Sequence, residues 1–336
     1  MVLLIEIDGS YCEGGGQILR TAIALSGITG KKTRIYNIRA NRDPSGLKRQ
    51  HLTGILSAKE ICDAEVEGAE IGSKEIVFKP STIKSGKYRI DIGTAGSITL
   101  LLQSLIPIAV FSDDKITLEI TGGTNVQWSP TMDYYSEIFL YFLKKAGIDV
   151  KLEVFRYGFY PKGGGKVKIK IFPWKNRERI EFTERGEKKK IKAVSIATKD
   201  LKNAEVAERQ VKGFRRVLSC EKEIRYVDSY STGSSITGIA YFENTRMGSS
   251  ALGERGKRAE IVGREAGEKL KKEIETDGVL DRYMGDQIIP YMGIAGGKIV
   301  VSEVTDHLKS NIWVVEKFLP VKFEVRGNTV EVSTQQ

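Results

Sequence analysis

Histidine is scarce in this sequence: 336 residues carry two, His51 and His307. Neutral imidazole is both a nucleophile and a proton carrier near neutral pH. A lone histidine is more often structural than catalytic, so position has to decide. His307 stands in "EVTDHLKSN", directly after the strand-like "KIVVSEV". An imidazole there can attack a nucleotide α-phosphate and form a phosphoramidate, whose nitrogen leaves readily once protonated. Asp306 and Glu303 are the carboxylates close enough in sequence to orient the ring. His51 ends the loop "RANRDPSGLKRQH", which also holds Arg39, Arg42, Lys48 and Arg49. These cations, with a turn at Pro44 and Gly46 between them, suit one or two phosphate groups, which arginine grips bidentately. A solvated basic loop has the same composition.

A third constellation is "SYCEGGGQILRTAIAL", Ser10 to Leu25. Glycines let a ligand approach the backbone, and a helix N-terminus offers free N–H groups. The stretch matches neither GxxxxGK[ST] nor GxGxxG, so no P-loop or Rossmann assignment follows. Glu13 is a carboxylate able to hold Mg²⁺ with phosphate oxygens completing the shell. A plain strand-to-helix turn fits the glycines equally well. The other glycine run, in "YPKGGGKVKI", opens a strand and reads as a turn.

The elements that must position these groups repeat. One order of pieces is written three times: a glycine-containing helix opening, a strand, a loop, a second helix and two closing strands. The first copy runs from "EGGGQILRTAIALSG" to "EIVFKP", the second from "GTAGSITLLLQSLIPIAVF" to "GKVKIKIFP", and the third from "GDQIIPYMGIAG" to "NTVEVS". Period-two alternation in "KVKIKI" and "VKFEV" marks strands, and Leu/Ile spacing of three and four marks helices. Leading strands precede the first two copies ("LLIEIDG", "KYRIDIG"), and none is clear directly before Gly285. Each module is a helical layer on a small sheet, with one apolar face that needs company, so three should pack around a shared helical core. The fold class expected is α+β, built from α/β-type repeats. About a hundred residues fit no copy and read as a β-α-β-β-α insertion, dense in Lys and Glu. The expected domains are therefore residues 1–180 with 278–336, and an inserted unit at 181–277. His51 and His307 fall in matching loops of the first and third modules, at matching ends of the scaffold.

Composition sets the outer limits. The chain carries 40% hydrophobic and 29% charged residues with a formal net charge of +10, which fits a soluble globular protein. The positive balance agrees with a polyanionic partner and equally with a Lys/Glu-rich thermostable surface. Three separated cysteines without CxxC argue against a disulfide framework or a zinc site and for a reducing, cytoplasmic setting. No signal peptide is legible. The most apolar stretch, "ITLLLQSLIPIAVF", is interrupted by Gln103 and Pro107 and reads as a buried helix, so no membrane association is expected. No obligate protein partner is evident.

Taken together, "EGGGQILRTAIALS", "RANRDPSGLKRQHLTGI", "YGFYPKGGGKV" and "VTDHLKSN" resemble the RNA 3′-terminal phosphate cyclase family, over essentially the whole chain. The resemblance implies three βαβαββ-like units packed as in enolpyruvyl transferases, with an inserted domain of thioredoxin-like topology. It implies a ligase that uses ATP and Mg²⁺ (or Mn²⁺) to convert an RNA 3′-terminal phosphate into a 2′,3′-cyclic phosphate. The implied steps are adenylation of a histidine, AMP transfer to the RNA phosphate, and attack by the 2′-OH with release of AMP. His307 matches the adenylated histidine and Glu13 the carboxylate at metal and phosphates. Arg20, Arg39, Arg42, Gln50 and His51 match the cluster for substrate phosphate and transition-state charge. Gln103, Asp286 and Gln287 fall where the family lines its adenylate pocket, and Pro130, Tyr134 and Tyr283 match contacts to the nucleotide base and sugar. One departure is visible: Tyr157 stands before Gly158 where the family usually has Arg or His. The alternative implied by the resemblance is a non-catalytic, cyclase-like RNA-binding protein acting in ribosome assembly. Such relatives lack the nucleophilic histidine, which is present here. A transferase of the enolpyruvyl type would need six modules, and three are countable.

Overall fold

The computed structural model describes residues 4–334. The first module comprises β1 (Ile5–Asp8), α1 (Gly16–Thr29), β2 (Thr33–Tyr36), α2 (Arg49–Ile61), β3 (Glu65–Glu67) and β4 (Ile76–Lys79). Its sheet has the order β1-β2-β4-β3, with β1 parallel to β2 and the other pairs antiparallel. Leu3, the first residue of the expected leading strand, lies outside the described residues.

The second module repeats this plan. It contains β5 (Gly86–Asp91), α3 (Ile98–Ala109), β6 (Ile116–Gly122), a second helix, β7 (Val150–Arg156) and β8 (Gly165–Ile171), with sheet order β5-β6-β8-β7. The second helix runs through α4 (Met132–Tyr134), a π-helical turn at Tyr135–Phe139 and α5 (Leu140–Lys145).

The third module does have a leading strand, far from Gly285 in the chain. It is β9 (Ile180–Phe182), inside a charged stretch, and it pairs in parallel with β14 (Gly297–Val300) across the whole insertion. The boundary expected between residues 180 and 181 thus cuts a strand, and Glu181 and Phe182 belong to the third-module sheet. Only three residues long, with Glu181 at its centre and Arg179 before it, β9 carries too little alternation to be legible. The module continues after the insertion with α8 (Arg282–Ala295), α9 (Asp306–Phe318), β15 (Val321–Arg326) and β16 (Thr329–Thr334). Its sheet order, β9-β14-β16-β15, repeats the first two.

The inserted unit holds β10 (Lys188–Thr198), α6 (Val206–Arg215), β11 (Glu221–Val227), β12 (Ser234–Phe242), β13 (Arg246–Leu252) and α7 (Ala259–Ile274). Its sheet order is β11-β10-β12-β13, with β10 parallel to β11 and the remaining pairs antiparallel. Strand β13 was not expected, because "GSS" at its centre is a weak strand signal. Gly248 is required there: a Cβ would lie 2.8 Å from the Tyr134 ring.

Helices α1, α3 and α8 open the three modules and meet at the centre, where α1 packs on α2, α3 and α9 and α8 packs on α3 and α9. Their apolar faces form one continuous core with the inner faces of the module sheets. Helices α3 and α8 each contain a proline, Pro107 and Pro290. Proline cannot donate to the carbonyl four residues earlier. The Asp286 carbonyl released in this way accepts instead from Asn311 Nδ2 of α9, at 2.7 Å.

Candidate active site

Both histidines sit in a first helical turn, slightly further along than the loop ends the sequence indicated. His51 is the third residue of α2 and His307 the second of α9. The strand-to-helix loops end at the same edge of the scaffold, so the two turns face each other across the N-terminus of α1.

The glycines of "EGGG" can now be assigned. Side chains from the first-module loop lie directly on their backbone. A Cβ on Gly14 would lie 2.6 Å from Asn41 Nδ2, one on Gly15 3.4 Å from Arg42 Nη2, and one on Gly16 2.5 Å from His51 Nε2. Gly14 also has φ +56°, a conformation that favours glycine. The glycines make room for loop side chains over the start of α1, whose N-cap, Gly15, supplies no side-chain cap.

Glu13 reaches the centre of this cluster. Its Oε2 lies 3.1 Å from His307 Nε2 and 3.2 Å from Arg42 Nη2. Asp286 Oδ2 lies 4.0 Å from His307 Nδ1, and Asp286 Oδ1 accepts from Thr305, the N-cap of α9. The orienting carboxylates are therefore Glu13 and Asp286. Asp306 and Glu303, nearer in sequence, are paired elsewhere, with Lys309 at 2.9 Å and Arg282 at 2.7 Å.

Burial, with Arg20 and Arg42 opposing the attraction of Glu13, holds His307 below the ordinary imidazole range. It is neutral, as a nucleophile must be. Asp286 is pushed up to about 8, first by desolvation and then by neighbouring carboxylates including Glu13. Such crowding of acids, relieved when cations or phosphate-bound ions enter, marks functional sites.

His51 plays a different part. Its Nδ1 accepts the Lys48 backbone N–H at 3.2 Å, closing the first turn of α2. Burial and the surrounding cations Arg20, Arg39 and Lys48 lower it to about 3. The ring is neutral, so the hydrogen-bond pattern assigns its proton to Nε2, beside the guanidinium of Arg20. His51 is a fixed neutral donor.

Arg20 is a cation without a carboxylate among its hydrogen-bond partners. Nε donates to Gln103 Oε1 at 3.1 Å and Nη2 to Gln17 Oε1 at 2.7 Å. Desolvation lowers it to about 10, still charged at neutral pH. A desolvated cation held by amides is prepared for an anion. Gln103 Nε2 passes on to Gln287 Oε1 at 3.0 Å, and Gln287 Nε2 to the Tyr283 carbonyl at 2.8 Å. Gln17 and Thr21 both donate to Asn311 Oδ1, at 3.0 and 2.6 Å. One chain of polar groups thus links α1, α3, α8 and α9. The sequence reading missed Gln17, Thr21, Thr305 and Asn311. The signal was present as spacing of four, Gln17 with Thr21 and His307 with Asn311.

Arg39 does less at the surface than its loop position implied. It is buried, and its Nη1 donates to the carbonyls of Pro44 and Gly46, both at 2.8 Å. It organises the turn that presents Arg42. Gln50 Oε1 accepts from Ser97 N at 2.7 Å, joining the first module to the start of α3. Pro130 is half-buried, its carbonyl accepting from Thr99 at 2.9 Å. Tyr283 is 43% exposed and stands edge-on to Tyr134, centroids 6.2 Å apart. Tyr134 itself is 2% exposed with its hydroxyl donated to Asp281 at 2.6 Å. Direct nucleotide contact, expected of Tyr134, is closed to it by this burial; it supports Tyr283.

The departure at Tyr157 has a local counterpart. Its hydroxyl lies 3.2 Å from Asp133 Oδ1, and Arg225 of the inserted unit places Nη1 3.0 Å from both. The cation beside Asp133 comes from another part of the chain.

A neutral histidine held between carboxylates, facing guanidinium groups across an uncapped helix start, is the equipment of an enzyme that works on phosphate esters. The comparisons with known proteins narrow the class. Residues 11–325 match the family model of RNA 3'-terminal phosphate cyclase. A cyclase of that name from Pyrococcus furiosus is 49% identical over 98% of this chain and 97% of its own length. Those from Thermococcus kodakarensis and Methanopyrus kandleri are 48% and 46% identical with the same coverage. The chain belongs to the RNA 3'-terminal phosphate cyclase family.

Proposed function

We propose that this protein converts an RNA 3′-terminal phosphate to a 2′,3′-cyclic phosphate at the expense of ATP, through a covalent intermediate on His307. The imidazole nitrogen attacks the α-phosphorus of ATP, and the bond to the β-phosphate oxygen breaks with loss of pyrophosphate. An oxygen of the RNA 3′-phosphate then attacks the same phosphorus, the P–N bond breaks, and the nitrogen leaves. The neighbouring 2′-OH finally attacks the RNA phosphorus, losing its proton, and AMP departs. The last step is intramolecular, so it gains the effective molarity of a group already in place.

The observation that carries this reading is the neutral His307 between Glu13 and Asp286, with Arg20 and Arg42 facing it. The scarcity of histidine and the family membership support it. Arg42, Arg20 and the Nε2–H of His51 are the donors available to phosphate oxygens, with Gln50 beside them.

A divalent cation such as Mg²⁺ fits the donor set in one way. Among the described residues no cluster of three or more His, Cys, Asp or Glu side chains forms a cage. Glu13, half-exposed at the centre, is the single carboxylate that would hold the ion together with substrate phosphates, the usual arrangement for Mg²⁺. Bound there, the ion neutralises crowded phosphate charge. No helix of the described residues is long and apolar enough to cross a membrane.

The test is direct. Protein incubated with ATP labelled in its α-phosphate and Mg²⁺ should acquire an AMP adduct that is acid-labile and alkali-stable, and His307→Ala should acquire none. RNA ending in 3′-phosphate should be cyclised and RNA ending in 3′-OH left unchanged. Absence of the adduct in wild type, or equal labelling of His307→Ala, sinks the mechanism and restores the non-catalytic RNA-binding alternative.

A further inference from the structure

Trp128 is 93% exposed and holds φ +58°. A bulky residue in the left-handed region is a genuine outlier, and strain of this kind persists where function requires it. The indole packs on nothing that would offset the cost, so the fold does not explain it. Its position does. Trp128 tips the loop between β6 and α4, whose two ends are pinned to the start of α3. Gly123 N donates to Gly96 O at 2.8 Å and Ile98 N to Gly123 O at 2.9 Å, while Thr99 Oγ1 donates to Pro130 O at 2.9 Å. In the middle of that start, Ser97 N donates to Gln50 Oε1, the neighbour of His51.

A second exposed aromatic converges on the same point. Tyr160, 77% exposed, tips the β7–β8 hairpin. A Cβ on Gly163 of that hairpin would lie 2.8 Å from Ala95 Cα and from Thr94 O. Thr124 N and Asn125 N of the Trp128 loop donate to Gly158 O of the hairpin, at 2.9 and 3.3 Å. The short segment Thr94–Ser97 is thus a hub: Gln50 on one side, the Tyr160 turn on another, the Trp128 loop on a third. Lys48 and Arg49 beside Gln50, and Lys162 on the Tyr160 turn, are exposed cations on two of these three segments. Exposed aromatic rings interleaved with cations, continuous with a phosphate cluster, are the makings of a single-strand platform.

We propose that Trp128 and Tyr160 stack the RNA bases that precede the 3′-terminal phosphate. The inference rests on the RNA-cyclase reading above: a strand whose terminal phosphate reaches Arg42, Gln50 and His51 leaves across the Thr94–Ser97 hub, between the two rings. Stacking of this kind is tolerant of sequence, because every base has a π-face.

The experiment compares wild type with Trp128→Ala, Tyr160→Ala and Trp128→Phe. Each is given 3′-phosphorylated oligoribonucleotides of increasing length, and AMP-adduct formation is measured with ATP alone. KM for RNA should rise about fivefold to a hundredfold in Trp128→Ala, and the gain in affinity with chain length should flatten. Adduct formation, which needs no RNA, should hold its wild-type rate, and Trp128→Phe should restore most of the loss. A 3′-phosphorylated oligonucleotide should also quench tryptophan fluorescence in wild type and not in Trp128→Phe, since Trp174 is buried and Trp313 stacks on Tyr11. Unchanged KM and unchanged quenching overturn the proposal. So does a parallel fall in adduct formation, which would assign Trp128 to the nucleotide. If wild type binds RNA but cyclises none, the cyclase reading has failed, and the quenching of Trp128 still decides the platform.

Discussion

Gly16→Ala separates what the fold needs from what the site needs. The added methyl would lie 2.5 Å from His51 Nε2 and 3.2 Å from Arg20 Nη1, where ordinary contact begins at 3.4 Å. The His51 ring must retreat by about 0.9 Å, the difference between those contact distances, and the hydrogen bond from Lys48 N to Nδ1 stretches with it. For stability the account nearly balances. Loss of that bond costs about 1 kcal/mol, and alanine in place of glycine at this first helical position returns roughly 0.4–1 kcal/mol by restricting the unfolded chain. For catalysis it does not balance, because misplacing a positioned group by about 1 Å costs on the order of a hundredfold. Thermal or guanidinium unfolding should therefore show little change, while cyclisation of 3′-phosphorylated RNA falls by about two orders of magnitude. Adduct formation on His307, which does not use the His51 donor, should fall far less. A variant with normal melting and normal cyclisation would refute the placement of His51 against Gly16, and with it the assignment of the glycines.

Three further outcomes are expected. Because burial and the arginines hold His307 below the ordinary imidazole range, the rate of adduct formation should rise with pH to a plateau with its midpoint below about pH 6.5; a single-turnover midpoint above pH 7 contradicts this. Arg20→Gln removes a desolvated cation whose ordering amides remain, so melting should hold or rise while cyclisation drops by about a hundredfold; an active, destabilised variant would contradict it. In Arg225→Met the buried carboxyl of Asp133, already raised above its ordinary range by desolvation, loses its cation. Removing one partner of a buried pair costs about 3–5 kcal/mol, and solvent around Arg225 reduces this to about 2–3 kcal/mol. A raised carboxyl binds its proton in the folded state, so the penalty is full at neutral pH and shrinks as pH falls towards about 4. Equal losses by chemical denaturation at pH 4.5 and 7.5 would show that charge is not the cause.

Much of this architecture was legible because a repeated module restates its own pattern. The three sheets share one strand order, and period-two strands such as "KVKIKI" and helices such as α3 announced themselves locally. What failed to show was short or small: β9 with three residues, β13 with Gly248 and two serines at its centre. At the site, the scarcity of histidine and its place in a matching loop singled out His307, and residue type singled out Glu13 beside the glycines and Arg42 in a basic loop. Pairings were not legible. The carboxylates nearest His307 in sequence turn outward to Lys309 and Arg282, and those nearest in space come from other segments. Arg39 and Arg42 look alike in a basic loop, and only the fold turns one inward to carbonyls and the other towards Glu13.

The modules themselves explain why the site draws its groups from two of them. Each second helix begins with a cap, Lys48, Thr131 or Thr305, and the second and third residues after it occupy equivalent places. In the first module these are Gln50 and His51, and in the third the position of Gln50 is held by His307. In the second module the same places hold Asp133 and Tyr134, both buried. They are turned to the inserted unit: Asp133 binds Arg225, and Tyr134 packs on Gly248 and donates to Asp281, which also accepts from Gly248 N at 2.8 Å. The insertion thus covers the one module end that carries no phosphate-directed group. It leaves the other two facing each other across α1. On this view the inserted unit acts on catalysis through position, by fixing the start of the helix whose preceding loop carries Trp128 and Pro130. The Arg225→Met variant tests that too. If the anchor sets the loop, KM for RNA should rise in this variant at temperatures where it remains fully folded, and adduct formation with ATP should not change.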